Sequence, residues 1–256
     1  MNWKTFFALL QRDAHVARRN FIPLLLQTML QPLLFVFIFG QVMIRSGFMP
    51  SNYRAMLLPG IMAISMVMTG VQAVSMPLIA EFQFTREIED RLLAPMQIQW
   101  LAIEKVVAGM IQALISGLIV VLAAWLVMGA NVSVTFGHPV LFGIIVFLVA
   151  LLSASGGLTM GCAVGQTQIG LLFSLVLAPM IMFGCAYYPW SALKSFPIVQ
   201  AAVLINPLVY ASEGLRGALA PQVPHMPMTV VIAVLSVIDA ALIALGLNRF
   251  FRKAVS

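Results

Sequence analysis

Six long apolar stretches restrict the fold of this chain more than any other feature of its sequence. Each is about as long as the roughly 20 apolar residues that an α-helix needs to cross a bilayer. Charged residues make up only 9% of the 256 residues, whereas a soluble domain carries roughly 25%. The chain therefore lacks the polar surface of a soluble enzyme. The predicted spans are 21–44, 55–80, 106–128, 140–164, 169–188 and 226–247.

The predicted fold class is an all-α membrane protein, with residues 21–256 forming a single domain of six transmembrane helices. The turn between the fourth and fifth spans is the weakest boundary. Only the four residues 165–168 separate these spans, and none of the four is charged. Without that turn the sequence would contain five spans.

The distribution of Lys and Arg predicts the orientation, since cytoplasmic loops of membrane proteins carry the excess of these residues. With six spans and the N-terminus inside, ten basic residues lie in cytoplasmic segments and four in external ones. Both termini are therefore predicted to be cytoplasmic, in a multi-pass protein of the inner membrane. Because the basic residues lie between spans rather than on one soluble face, the net charge of +6 does not indicate a nucleic-acid partner.

Residues 1–20 have the pattern of an amphipathic helix that lies in the membrane interface. Its basic residues lie mostly opposite an apolar stripe on the helical wheel. The stripe consists of Trp3, Phe6, Phe7, Leu10, Ala14 and Ala17. A basic flank of the first span that happens to be helical would give the same composition.

A charged island follows the second span, within the predicted cytoplasmic loop 81–105. Arg86 with Asp90, and Glu87 with Arg91, are i,i+4 pairs that favour a short helix. The island also contains apolar residues that a solvated loop would not need, and such apolar anchors beside mixed charge are typical of a docking element for a soluble partner. They are Phe82, Phe84, Ile88, Leu92 and Leu93. A solvated turn between two spans explains the composition equally well.

The external segment 189–224 begins with the Tyr and Trp content of a membrane interface. Its apolar part is broken by Asn206 and Pro207 and carries Glu213 and Arg216. Non-helical backbone at membrane depth is tolerated only inside protein or beside a cavity, so the pattern predicts a re-entrant helix-break-helix hairpin. The two charges, at i,i+3, either neutralise each other there or form an ordinary surface pair.

Together these features resemble the membrane subunit of a type-2 ATP-binding-cassette (ABC) transporter, in the class that includes drug, lipo-oligosaccharide and polysaccharide exporters. Three stretches carry the resemblance: the N-terminal helix, the charged island, and Tyr188-Pro189 followed by residues 206–217. The last is the most specific, because it is similar to the family pattern of Asn-Pro, an aromatic residue, then Glu and Arg-Gly. The order of elements along the whole chain also agrees with the family.

The resemblance implies roles for two sets of residues. The loop after the second span would act as a coupling helix on a nucleotide-binding subunit, and the external hairpin would close the translocation path. The implied coupling residues are Arg86, Glu87, Glu89, Asp90 and Arg91. The implied gate residues are Asn206, Pro207, Tyr210, Glu213 and Arg216.

The sequence contains no G-x-x-x-x-G-K-[ST] loop that could cradle the phosphates of ATP. The chain is therefore predicted not to be an enzyme and to hold no cofactor, with ATP and Mg²⁺ bound by a separate ABC ATPase subunit. The resemblance implies that two copies of this permease form a conduit in the lipid bilayer. The apolar excess favours a hydrophobic or amphipathic substrate: a drug, a lipid, a glycolipid or a polysaccharide.

Two further candidate features, one functional and one structural, lie in or beside the predicted spans. Asp239 falls near the middle of the sixth span, where a charge is costly and is by default a functional candidate. Pairing across a dimer, protonation and an internal hydrogen bond all remain open for it. Gly157, Gly161 and Gly165 recur every four residues and predict close packing between helices.

Two other functions fit a six-span chain. A secondary transporter is expected to contain internal repeats, and no convincing repeat relates the two halves of this sequence. A scaffold subunit that transports nothing is the other alternative. An intramembrane serine protease is disfavoured, because no His lies mid-span to act as a base for a nucleophile.

Overall fold

The computed structural model describes residues 10–12, 30, 33–50, 53–83, 98–128, 138–165, 168, 171 and 173–255. The described residues are 87% helical and contain no strand, which confirms the all-α membrane class. The described helices are α1 (Leu33–Arg45), α2 (Tyr53–Gln83), α3 (Ile98–Met128), α4 (Pro139–Ala163), α5 (Phe173–Leu177 continued by Ala178–Met182), α6 (Pro197–Ile205), α7 (Pro207–Leu219) and α8 (Met228–Val255).

Helix α2 is the central element, since it is almost entirely buried and packs against α3, α4 and α7. Glycines permit this close packing. A Cβ atom at Gly157 would lie 2.7 Å from the Val71 carbonyl oxygen, and one at Gly161 would lie 3.0 Å from the Ser75 Cα. The predicted packing role is confirmed for these two glycines of α4. Gly165 lies beyond the end of that helix.

Hydroxyl groups add hydrogen bonds between the packed helices. The Thr69 hydroxyl of α2 donates to the Ser116 hydroxyl of α3 at 2.8 Å. The Thr159 hydroxyl of α4 donates to the Leu242 carbonyl of α8 at 3.0 Å. Interhelical hydrogen bonds in membranes contribute about 0.6 kcal/mol each on average, so they align the helices while packing holds them together.

Among the described residues, the four helices α2, α3, α4 and α8 are long and apolar enough to cross a membrane. They correspond to the second, third, fourth and sixth predicted spans. Helix α3 begins at Ile98 rather than at 106, and α8 continues to Val255 rather than ending at 247. Basic residues at the last turn of α8 favour its extension, because they interact with the negative end of the helix dipole.

The fifth span is shorter than predicted, since α5 ends at Met182 and not at 188. Two features end it. Cys185 has a positive φ of 51°, which a helix cannot accommodate. The Gly184 carbonyl, which would accept a bond from the next helical turn, instead accepts from the Ser212 hydroxyl at 2.6 Å.

Helices α6 and α7 meet at an angle of 97°, with the break at Asn206. The predicted helix-break-helix is confirmed. A broken membrane span and a re-entrant hairpin share this geometry, and counting the pair as one span raises the described spans to five. Of the first predicted span, 21–44, the structure describes residues 30 and 33–44. Of the predicted interfacial helix 1–20 it describes residues 10–12, which are helical, and the rest lies outside the described residues.

Candidate functional site

The five residues implied for the gate all lie on or beside α7, where the structure describes every one of them. They are Asn206, Pro207, Tyr210, Glu213 and Arg216, called the hairpin cluster below. Glu213 and Arg216 are both 0% exposed, and Tyr210 is 8% exposed. A helix with two charges in its buried face requires partners for both of them.

Asn206 fixes the break between α6 and α7. Its side-chain oxygen caps α7 by accepting a hydrogen bond from the Leu208 N–H at 3.0 Å. Its amide nitrogen donates to the Met180 carbonyl of α5 at 2.7 Å. Pro207 occupies the first position of α7, where its missing N–H has no partner to lose. The break is therefore fastened both to α7 and to the end of α5.

Glu213 is the centre of the cluster. Its Oε1 accepts from the Arg216 Nη1 at 2.5 Å and from the Trp190 backbone N–H at 2.8 Å. Its Oε2 accepts from the Met226 backbone N–H at 2.9 Å. The predicted ion pair is confirmed, but the alternative of an ordinary surface pair is wrong, because both side chains are buried. Three donors compensate for the loss of water around this carboxylate.

Arg216 extends the network to the chain that follows α5. Its Nη2 donates to the Cys185 carbonyl at 2.7 Å and to the Ala186 carbonyl at 3.3 Å. Its Nε has no hydrogen-bond partner among the described residues. The guanidinium thus holds the non-helical backbone after α5 against α7, which explains how that backbone is tolerated inside an apolar protein.

The non-helical segment after α5 also packs against the central helix α2. The Tyr53 hydroxyl at the start of α2 donates to the Tyr187 carbonyl at 2.8 Å. A Cβ atom at Gly60 would lie 1.8 Å from the Ala186 carbonyl oxygen, so only glycine fits there. The Tyr210 hydroxyl donates to the Leu204 carbonyl at 3.0 Å and thereby closes the angle between α6 and α7.

The hairpin cluster therefore connects the end of α5, the turn Trp190–Ser195, α7 and the chain that leads into α8. Moving any one of these segments alone would break a charge-assisted hydrogen bond in a buried site, where such bonds are strong. The arrangement therefore holds these four segments together as one unit. The backbone partners of Glu213 and Arg216 were not predictable from the sequence, because every residue type carries a carbonyl group and nearly every one an N–H group.

The implied coupling residues lie in the segment 84–97, outside the described residues. They are Arg86, Glu87, Glu89, Asp90 and Arg91. The structure does describe the two helix ends that flank this segment. The Lys105 Nζ of α3 lies 2.7 Å from the Glu81 Oε1 of α2, and both residues are buried.

This second ion pair was not predicted, because Glu81 and Lys105 fall within the predicted loop 81–105. Residues 81–83 and 98–105 are helical instead, so α2 and α3 extend into the predicted loop from both sides. The pair links α2 to α3 at the two helix ends that flank the charged island in the sequence. A buried Phe250 of α8 contacts Phe82 beside it, with ring centroids 5.7 Å apart.

Asp239 lies in α8 and is 2% exposed. Neither of its carboxylate oxygens has a hydrogen-bond partner among the described residues. The side chain faces the interior of this chain, since Leu235 and Leu242 on either side of it are packed into the core. The internal hydrogen bond considered from the sequence is absent from the part of the chain that the structure describes.

The family model described as ABC-2 type transporter matches residues 4–220. The chain belongs to this family. As an ABC-2 type transporter it is a membrane component of a transport system, and membership implies an ABC ATPase partner. No curated protein and no solved structure matches the chain. The matched region includes both the charged island and the hairpin cluster, and it ends just after α7, so that α8 and Asp239 follow it.

Proposed function

We propose that this ABC-2 transporter chain is the permease subunit of an exporter, in which two copies form the translocation path and two separate ATPase subunits supply the energy. The observation that carries this proposal is the family match over residues 4–220. The long apolar helices support the membrane path. The excess of basic residues in loops on one side supports an inner-membrane protein with both termini in the cytoplasm.

The segment 84–97 is the proposed coupling element, with the five charged residues from Arg86 to Arg91 as its contacts on the ATPase. The buried Glu81–Lys105 pair supports this role, because a loop transmits force only when its base is fixed. ATP-driven closure of the ATPase subunits would push on this segment. Through the packed pair α2 and α3, the push would reach the opposite end of the bundle.

The hairpin cluster is the proposed external gate, and α6 with α7 form a re-entrant hairpin that enters the membrane and returns. The hydrogen bond from the Tyr210 hydroxyl to the Leu204 carbonyl supports this role, because it fastens α6 to α7. An open groove of about 640 Å³ lies between α5 and α6, next to Asn206 and Pro207. Its walls are apolar side chains, among them Leu175, Met180, Phe183 and Ile198. An apolar groove beside the proposed gate supports a hydrophobic or amphipathic substrate.

The test is reconstitution of the chain with its ATPase subunit in vesicles, comparing wild type with the double variant Glu87→Lys and Asp90→Lys. We expect the variant to lose the change in ATPase activity that assembly produces, and to lose uptake of an amphipathic fluorescent dye, because the docking charges are reversed. Lys194→Glu is the control, since this exposed residue lies at the opposite end of the bundle. Unchanged ATPase coupling and dye uptake in the double variant would contradict the proposal.

A further inference from the structure

A basic pocket lies where α4 and α8 end. It has a volume of about 540 Å³ and is lined by Cys162 and Ala163 of α4 and by Arg249, Arg252 and Lys253 of α8. The spacing i, i+3, i+4 brings the three cations to one side of α8. The basic pocket is shallow and open, and three cations close together on one surface raise the local positive potential, so it suits an anion.

Packing fixes one wall of this pocket. The Lys253 Nζ donates to the Gly161 carbonyl at 3.4 Å and lies 4.9 Å from the centre of the Phe82 ring. The Phe250 side chain, 1% exposed, meets the same ring edge-on. The basic end of α8 is therefore docked against α2 and α4, unlike a terminal helix whose cations simply extend into water.

The position of the basic pocket relative to the bilayer indicates which kind of anion lies beside it. A helix rises about 1.5 Å per residue, so the hydrocarbon core of roughly 30 Å takes about 20 residues from the start of α8. Arg249 to Lys253 then lie within about 8 Å beyond the core. Cys162, near the end of the 25-residue α4, lies at a similar depth, about 5 Å beyond the core by the same rise. Lipid phosphates occupy this layer.

We propose that the basic pocket binds the phosphate headgroup of an anionic phospholipid, with its acyl chain along α8. Arginine side chains recognise phosphate through two parallel N–H bonds, and Arg249 and Arg252 are exposed. Leu245, 50% exposed, lies one turn before Arg249 on the same face and provides an apolar strip for the chain. Free phosphate has the same chemistry as the headgroup but has no acyl chain to contact that apolar strip. This lipid site does not depend on the transport function.

The experiment measures thermal unfolding of the delipidated full chain in detergent after addition of phosphatidylglycerol, phosphatidylcholine or inorganic phosphate. We expect only phosphatidylglycerol to raise the midpoint. The variant Arg249→Gln with Arg252→Gln should bind it about 30-fold more weakly, since each basic residue near an anionic surface contributes roughly fivefold. The control is Arg45→Gln with Lys194→Gln, two exposed cations at the opposite end, and it should respond as wild type does.

Lipid retention measured by native mass spectrometry provides a second readout, with the charge-conserving variant Arg249→Lys and Arg252→Lys in case the Gln variant does not fold. The Lys variant should retain phosphatidylglycerol in an amount between wild type and no retention. An equal response of the Gln variant and wild type would overturn the proposal. So would a response to inorganic phosphate as large as that to phosphatidylglycerol, or equal lipid retention by the Lys variant and wild type.

Discussion

Removing the charge of one partner in the buried Glu213–Arg216 pair should destabilise the protein strongly. In Glu213→Gln the Arg216 guanidinium, 0% exposed, stays charged without its carboxylate. Breaking a buried pair in this way costs about 3–5 kcal/mol. At about 2–4 °C per kcal/mol for chains of 150–250 residues, the unfolding midpoint should fall by about 10 °C.

The reverse variant, Arg216→Met, should cost less. Glu213 then keeps two backbone donors, the N–H groups of Trp190 and Met226, so its carboxylate remains partly compensated. The double variant removes both charges and should recover part of the loss, with an interaction energy of about 1–3 kcal/mol between the two sites. The expected order of midpoints is wild type, then the double variant and Arg216→Met, then Glu213→Gln.

The structure supplies a direct assay for this series. Cys185 is free and 0% exposed, so a thiol-reactive fluorogenic dye reacts with it only as the protein unfolds. Lys194→Ala, an exposed charge nearby, should leave the midpoint unchanged. Midpoints for Glu213→Gln and Arg216→Met equal to wild type, or strictly additive losses in the double variant, would refute the description of this pair as a buried network.

Three further substitutions test other parts of the fold in the same assay. Asn206→Ala loses both the helix cap, worth about 1 kcal/mol, and the bond to α5, whereas Asn206→Asp keeps the cap and loses only the bond to α5. The midpoint should therefore fall further in Asn206→Ala; an Asn206→Asp midpoint equal to wild type would exclude the bond to α5. Gly157→Ala should lower the midpoint by clashing with the α2 backbone, whereas Gly143→Ala, where a Cβ meets nothing within 4 Å, should not. Asp239→Asn removes a buried charge and should leave or raise the midpoint; a fall would reveal a partner that stabilises the carboxylate.

Apolar length alone was sufficient to predict the helices α2, α3, α4 and α8, because an uncharged stretch of about 20 residues has few alternatives to a membrane helix. The break at Asn206 was also predictable, since Asn is a strong cap and Pro is favoured at the first helical position. The pairing of Glu213 with Arg216 followed from their i,i+3 spacing.

The environment of that pair was not predictable. Its other partners are backbone groups of Cys185, Ala186, Trp190 and Met226, and any residue type supplies the same groups. Their positions depend on the path of the chain after α5. The end of α5 was mispredicted because it also depends on a contact that is distant in sequence. The Ser212 hydroxyl on α7 donates a hydrogen bond to the Gly184 carbonyl.

The buried Lys105 was assigned to a loop because it is charged. Its partner Glu81 is 24 positions away and on another helix, and the sequence pattern describes only neighbours on one helix. Two charged residues at facing ends of consecutive apolar stretches are the signal that could have revealed it. In a hairpin of antiparallel helices such ends lie side by side, so a carboxylate and an amine there neutralise each other.

The central claim is that this chain works as the permease of an ABC system with a separate ATPase. Its most direct test is purification of the tagged full chain from its native membrane in mild detergent, with identification of every co-purifying protein and assay of ATPase activity in the eluate. We predict recovery of a soluble subunit that carries a phosphate-binding loop, in equal amount to the chain and with ATPase activity. Recovery of the intact chain alone, under conditions that keep a known ABC complex assembled, would contradict the account.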